Sequence, residues 1–354
     1  MLRKTMAAGS NDGSSRPGGV TLKDVARAAG VHPGTVSRAL DPAKMWLVTP
    51  LTRAKVESAA RELGYRPDIV ARSLRSGSTK TIGIVVADLS NPFAGEIIHG
   101  IAGFLSPRDF MPLIVETFDD TERLGLALDA LRSRRVDAVV ITVARTADAE
   151  TILESARGGL HIVLAVRQLP GSGLPTVVHD DAGGGRLVGE HLLSLGHRVL
   201  GELRGAQDAH PFRERGRAFR QAVAAGGGAV QEVDAVATHP TAQEGRRLMD
   251  RYLEGLADLP TAFFVHNDAM AIGAIDALRQ AGLRCPEDVS VVGYNDAPLS
   301  DHVTPPLTTV RYPSQEVGRF AAGVALSHIT DDDRPGELVT FPAELVVRGS
   351  TGSV

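Results

Sequence analysis

The 354-residue sequence contains one cysteine, Cys285, and one tryptophan, Trp46. A single thiol excludes an internal disulfide and fits a reducing cytoplasm. Cys285 precedes a proline and reads as an ordinary loop thiol. No stretch of 18 apolar residues is present, so no membrane-spanning helix is expected. Residues 1–19 lack a signal-peptide pattern; they are polar, rich in Gly and Ser, and read as a disordered tail. Catalytic signatures are missing too. There is no G-x-G-x-x-G after a strand, no P-loop, no H-E-x-x-H and no nucleophile elbow. Gly183-Gly184-Gly185 follows two aspartates and begins a helix instead of cradling a phosphate. An enzyme is therefore not expected, and neither a cofactor nor a metal site is anticipated.

Lysine is absent after position 80: Lys4, Lys23, Lys44, Lys55 and Lys80 are the full set. Residues 1–80 carry 14 Lys+Arg against 6 Asp+Glu, while the remainder carries 24 against 36. The net charge of −4 thus conceals a basic head on an acidic body, and a basic head is suited to a polyanion. At roughly 150 residues per domain, two or three folded units are expected.

The segment TLKDVARAAGVHPGTVSRAL, residues 21–40, carries its own punctuation. Thr21 and Asp24 form a helix-start pair, and Leu22, Val25, Ala26 and Ala29 line one face. Gly30 supplies the turn, Val31 plugs the angle, and Pro33 suits the first position of a second helix. Val36, Ala39 and Leu40 give that helix a buried side. Thr49-Pro50 opens a third helix that Gly64 stops. Two short helices around a glycine turn make a helix-turn-helix. Trp46, in the loop before the third helix, is expected to pack on the small core in preference to contacting DNA.

The run D-V-A-x-x-A-G-V-x-x-x-T-V-S-R-A-L, residues 24–40, resembles the head of the LacI/GalR (lactose-repressor/galactose-repressor) family. The resemblance continues through Leu63-Gly64-Tyr65-Arg66-Pro67 and Val70-Ala71-Arg72-Ser73-Leu74, and covers nearly the whole chain from Val20. It implies a transcriptional regulator, most readily a repressor, that binds palindromic operator DNA as a homodimer, answers to a small-molecule effector, a sugar or sugar derivative, and has no membrane association. An activator or a solute-binding protein of the same fold is the alternative. The second helix would enter the major groove. The family's base-reading positions fall on Pro33, Gly34 and Arg38, with His32 where a capping serine is usual. Pro and Gly offer no hydrogen-bonding side chain, so Arg38, with help from His32, is expected to read bases. Thr35 and Ser37 are placed for phosphate or local caps. Lys23 and Arg53 either touch phosphates or are merely solvated. The linker would fold on the operator, with Leu74 wedged into a minor-groove step beside Arg72.

From residue 81 onward, apolar runs near 82–86, 112–115, 138–141, 162–166, 199–203, 262–265 and 289–292 alternate with helical patterns. Such alternation indicates doubly wound parallel sheets in two lobes, with a cleft at the strands' carboxyl ends. The fold class expected is an all-α helix-turn-helix head on an α/β, periplasmic-binding-protein-like body. The divisions are 1–18 (tail), 19–66 (DNA-binding domain), 67–80 (hinge helix or linker) and 81–354 (effector binding and dimerisation). Lobe 1 spans about 81–178 and 312–330, and lobe 2 about 179–311 and 331–354. The resemblance places effector contacts at Asn91, Phe93, Arg213, Asn267 and Asn295. Arginine offers a planar fork, asparagine both donor and acceptor, and phenylalanine a face for a sugar ring. Asn267 reads equally as a helix cap. Asn295 and Val166 stand where the family often has aspartate, which makes an acidic or phosphorylated effector easier to accommodate.

Overall fold

The computed structural model describes residues 20–41, 44–66, 77–232, 235–255, 259–330 and 336–354. Two units divide the chain, Met1–Gly77 and Ser78–Val354. The expected tail, and the linker residues Arg72 and Leu74, lie outside the described residues.

In the first unit, local sequence signals fix three helices: α1 (Leu22–Ala29), α2 (Pro33–Ala39) and α3 (Pro50–Glu62). The Asp24 carboxylate accepts from the Thr21 amide at 3.0 Å, tying down an otherwise unpaired donor of the first turn. Gly30 leaves α1 with φ +65°, a conformation that costs glycine nothing. Thr49 caps α3 by accepting from the Thr52 amide. Val25, Ala26, Val36, Ala39, Val56, Ala59 and Ala60 are the core, with Val31, Leu40, Val48 and Tyr65 packed on it. Trp46 departs from expectation: it sits in a 3-10 turn, Met45–Leu47, and is 77% exposed. Val48 is the residue of that loop that packs on the core instead.

The second unit contains two six-stranded sheets. The first runs β2 (Met111–Glu116), β1 (Thr81–Val86), β3 (Ala138–Ile141), β4 (Ile162–Ala165), β5 (Thr176–His179) and β11 (Leu338–Phe341). The second runs β7 (Ala229–Gln231), β6 (Val199–Leu203), β8 (Ala262–Val265), β9 (Ser290–Tyr294), β10 (Thr308–Arg311) and β12 (Glu344–Val346). Every pairing is parallel except β10 with β12. Central strands are buried on both faces and therefore read as unbroken apolar runs.

One lobe boundary needs correcting. The sequence assigns residues 331–354 to the second lobe, yet Leu338–Phe341 pairs with Thr176–His179 at the edge of the first sheet. Edge pairing of a four-residue strand is decided by tertiary neighbours, which its own sequence does not encode. The chain consequently crosses between lobes three times: at 179–181, at 311–314 and at 341–344.

Helices α4 (Pro92–Leu105), α5 (Thr121–Ser133), α6 (Ala149–Arg157) and α11 (Ser314–Thr330) cover the first sheet, and α7 (Asp181–Ser194), α8 (His210–Ala225), α9 (Ala242–Gly255) and α10 (Asp268–Gln280) the second. Helices α4 and α11 cross through reciprocal glycines. A Cβ on Gly100 would run into the Gln315 carbonyl, and one on Gly318 into that of Ile97.

Candidate functional site

A cavity of about 340 Å³ opens at the carboxyl ends of β1, β3 and β4. First-lobe residues form most of its wall, including Asp88, Asn91, Phe93, Phe118, Asp119, Thr142 and Arg167; His239, Pro240 and Thr241 face it from the second lobe. Its volume falls within the range of small-molecule sites.

Asn91 and Phe93 are brought together here, as expected. Asn91 caps α4, its Oδ1 accepting from the Phe93 amide at 3.2 Å, and Pro92 starts the helix. The Phe93 ring meets Tyr312 edge-on at 5.4 Å.

The polar centre is Arg167. Val166 has φ +67°, a costly conformation for a β-branched residue, and the Arg167 amide closes a three-residue turn onto Ala165 O at 2.7 Å. That turn ends β4 and delivers the guanidinium to the cavity wall. Only 8% exposed, Arg167 donates to Asp119 through both terminal nitrogens, at 2.7 and 3.2 Å, and to Val143 O at 3.1 Å. Asp119 thus supplies the carboxylate that position 166 lacks. Asp88 also stands on the wall, so two carboxylates accompany the one guanidinium there. Sequence reasoning misses Asp119 because nothing in the spacing of 119 and 167 links them; the strand order brings them together.

Arg213, Asn267 and Asn295 are not part of that wall. Arg213 instead spans the lobes, donating to Gln207 O at 3.0 Å and Thr146 Oγ1 at 3.3 Å. Asn267 is buried and its Oδ1 accepts from the amides of Ala269 and Met270, so the helix-cap role is filled and only its NH2 remains for a ligand. Asn295, at φ +115°, has a buried Oδ1 with no hydrogen-bond partner.

Behind the cavity lies a buried polar cluster that the motifs do not reveal. Arg215 donates to Asp181 Oδ1 at 2.7 Å and to His266 O at 2.7 Å, and its guanidinium lies over the Tyr294 ring at 3.6 Å. His179 Nε2 is 2.9 Å from Asp181 Oδ1. Burial pushes the His179 pKa down, against the pull of the Asp181 carboxylate. Burial also raises the Asp181 carboxyl, but His179 and Arg215 together outweigh it and bring the pKa to about 2. Burial lowers the pKa of His266 as well, against the pull of Glu202, whose Oε1 it bonds at 2.8 Å; Glu202 also takes Arg220 at 2.6 Å.

In the head, His32 takes the capping role at α2: its Nδ1 accepts from the Gly34 amide at 3.1 Å. A Cβ at position 34 would stand only 3.2 Å from that nitrogen, so glycine gives the histidine cap its room. Lys23, His32 and Arg38 are exposed, while Pro33, Thr35 and Ser37 are partly buried along α2. Arg53 is engaged by Glu57 at 2.6 Å. Among the described residues no cluster suited to a metal ion is present, and no helix is long and apolar enough to cross a membrane.

Residues 21–68 match the family described as bacterial regulatory proteins, lacI family, and residues 190–351 match the periplasmic binding protein-like domain. The chain is 32% identical over 331 residues to the HTH-type transcriptional repressor PurR of Photobacterium profundum, spanning 93% of this chain and 98% of the relative. It is 32% identical over 335 residues to the ribose operon repressor of Escherichia coli, spanning 93% and 99%. Among solved structures, the lac repressor dimer bound to operator and the anti-inducer ONPF is similar with a TM-score of 0.82, at 29% identity over 94% of this chain and 99% of that one. A complex of the transcriptional regulator CelR with cellobiose is similar with a TM-score of 0.68, at 32% identity over the same shares.

Proposed function

The chain belongs to the lacI family of bacterial regulatory proteins, and from that premise we propose a repressor that binds a palindromic operator as a homodimer and responds to a neutral, polyhydroxylated effector in the cavity beside Arg167. It is a transcriptional regulator and not an enzyme. Its place is the cytoplasm, where its DNA target lies.

The observation that carries the effector class is the two-pronged Arg167–Asp119 pair. A fork already matched to a carboxylate retains a directed edge for hydroxyls but no uncompensated charge for a phosphate. Asp88 adds acceptor oxygens, and Phe93 an apolar face for a sugar ring. Arg213, Asn267 and Asn295 act from the second lobe, where the unpaired Oδ1 of Asn295 awaits a donor. An effector touching both lobes favours one lobe arrangement over another, and only such a differential shifts the population. On DNA, α2 enters the major groove with Arg38 reading bases; Lys23, Arg53, Thr35 and Ser37 serve the backbone; Arg72 and Leu74 belong to a linker that wedges the minor groove. Two heads on a dyad read a longer site than one.

A thermal-shift panel of neutral pentoses and hexoses, their phosphates and nucleobases tests the effector class. Neutral sugars should raise the melting temperature, and their phosphates should not. A response confined to phosphorylated sugars or to nucleobases overturns the class. Selection of genomic fragments against excess calf-thymus DNA tests the operator half; failure to enrich any fragment ends that reading.

A further inference from the structure

Four large apolar side chains stand in solvent within seven positions of the head: Met45, Trp46, Leu47 and Leu51, with Trp46 77% and Leu51 70% exposed. The head's own core has no need of them, since Val48 completes it from the same loop. Three observations indicate what covers this patch. The turn Met45–Leu47 begins six positions after the last residue of α2 and packs against that helix. A chain leaving the end of a groove-seated helix runs onto the groove wall, which is a sugar–phosphate strand. Charge agrees: residues 20–66 hold eight Lys+Arg against four Asp+Glu, and Lys44 immediately precedes the turn. Finally, α2 is short of contacts of its own. Pro33 and Gly34 bring no polar side chain, and His32 Nδ1 is spent on the cap.

We propose that Trp46 is a DNA-contact residue whose indole lies on the sugar–phosphate strand bordering the major groove. Its ring covers the apolar face of a deoxyribose, and Nε1–H points to a phosphate oxygen. Indole suits this boundary because one part is apolar and the other donates a hydrogen bond. Lys44 adds the charge. A backbone contact carries no sequence information, so Trp46 contributes to operator and bulk duplex alike. The proposal rests on the reading that this head binds DNA.

Trp46 is the only tryptophan of the chain, so its emission reports this residue alone. The full-length protein is titrated with a mixed-sequence duplex at low salt. Binding is followed independently by the anisotropy of a label on the DNA. Indole emission should shift to the blue or quench in step with the anisotropy. Trp46→Ala should weaken both mixed duplex and selected operator by about tenfold, with Trp46→Phe between it and the native protein. A full anisotropy change with unaltered emission and an unweakened Trp46→Ala overturns the Trp46 contact and leaves DNA binding intact. No anisotropy change in the native protein overturns both. An emission change that follows protein concentration without DNA makes the patch a protein–protein surface and also overturns the proposal. The emission measurement needs no substitution, so a misfolded variant does not blunt it.

Discussion

The imidazole of His179 lies flat on the ring of Tyr312, with centroids 3.5 Å apart and planes inclined by 6°. The two residues belong to different crossovers between the lobes, and Phe93 of the cavity wall meets the edge of the stack through Tyr312. On the second-lobe side, Arg215 and Asp181 hold the histidine. A face of the cavity is thereby in van der Waals continuity with two of the segments that cross between the lobes.

The stack separates ring from hydroxyl. Tyr312 Oη is buried without a hydrogen-bond partner, so Tyr312→Phe removes an unsatisfied group and should leave stability unchanged or raise it by about 1 kcal/mol. Tyr312→Leu removes the stacked ring and should cost about 2–3 kcal/mol. Urea unfolding followed by circular dichroism measures both. Hydrogen exchange at residues 177–182 should accelerate only in the leucine variant. Equal behaviour of the two variants would deny the ring its role.

The cavity's charge balance gives a second expectation. Asp119→Asn leaves the Arg167 guanidinium without its counter-charge in a buried setting. The cavity should then accept sugar phosphates that the native protein ignores, with an affinity gain of about tenfold or more. Calorimetric titration of native and variant protein with one neutral sugar and its phosphate decides this. If both proteins discriminate alike, Asp119 does not set the charge preference.

Legibility follows locality. The first cap, the glycine turn and the starts of α2 and α3 are readable because each depends on local residues: Thr21 with Asp24, Pro33 at the head of α2, Thr49 with Thr52; the His32 cap on the Gly34 amide is not, since the sequence assigns His32 to base reading. Helices of the body show through their periodicity, and the central strands through unbroken burial. Leu338–Phe341 is assigned to the wrong lobe from sequence because a short edge strand owes its position to a partner about 160 residues away. The general preference of large aromatics sends Trp46 to the core, whereas Val48 of the same loop packs there and Trp46 is exposed. In the cavity, Asn91 and Phe93 are legible as a motif at a helix start. Asp119 is invisible because its partnership with Arg167 exists only after four strands are laid side by side.

Helix contact through glycine predicts a sharp contrast in stability. A methyl group on Gly318 would occupy the space of the Ile97 carbonyl, whereas one on Gly103, in the partner helix, meets nothing within 4 Å. Gly318→Ala should destabilise by about 1–3 kcal/mol or more as α4 and α11 are forced apart. Gly103→Ala should stabilise by up to about 1 kcal/mol through helix propensity alone. Thermal melts of the two variants give the comparison, and a neutral Gly318→Ala would mean that the helices can separate at this crossing without cost.

Asp268 supplies a pH signature. Burial pushes its carboxyl up to about 6, against the opposing bonds from the Thr309 hydroxyl at 2.5 Å and the Ala297 amide at 2.7 Å. A folded pKa above the unfolded value means the native state holds more protons than the unfolded chain between about pH 4 and pH 6. Stability due to this group therefore falls as pH rises through that window, by at most about 3 kcal/mol, and is level above it. The buried histidines 179 and 266, whose pKa values burial lowers, act in the opposite sense, losing stability as pH falls below the ordinary histidine range. They are common to native protein and Asp268→Asn, so the difference between the two curves isolates the aspartate. Urea titrations at about pH 4, 5, 6 and 7 should show the native protein losing ground to the variant up to about pH 6 and no further. Circular dichroism is the proper probe, because Asp268 lies in the body whereas the sole tryptophan belongs to the head. Parallel curves across the window would place the Asp268 carboxyl at its ordinary value, and its two hydrogen bonds, not burial, would then govern the turn at Asn295.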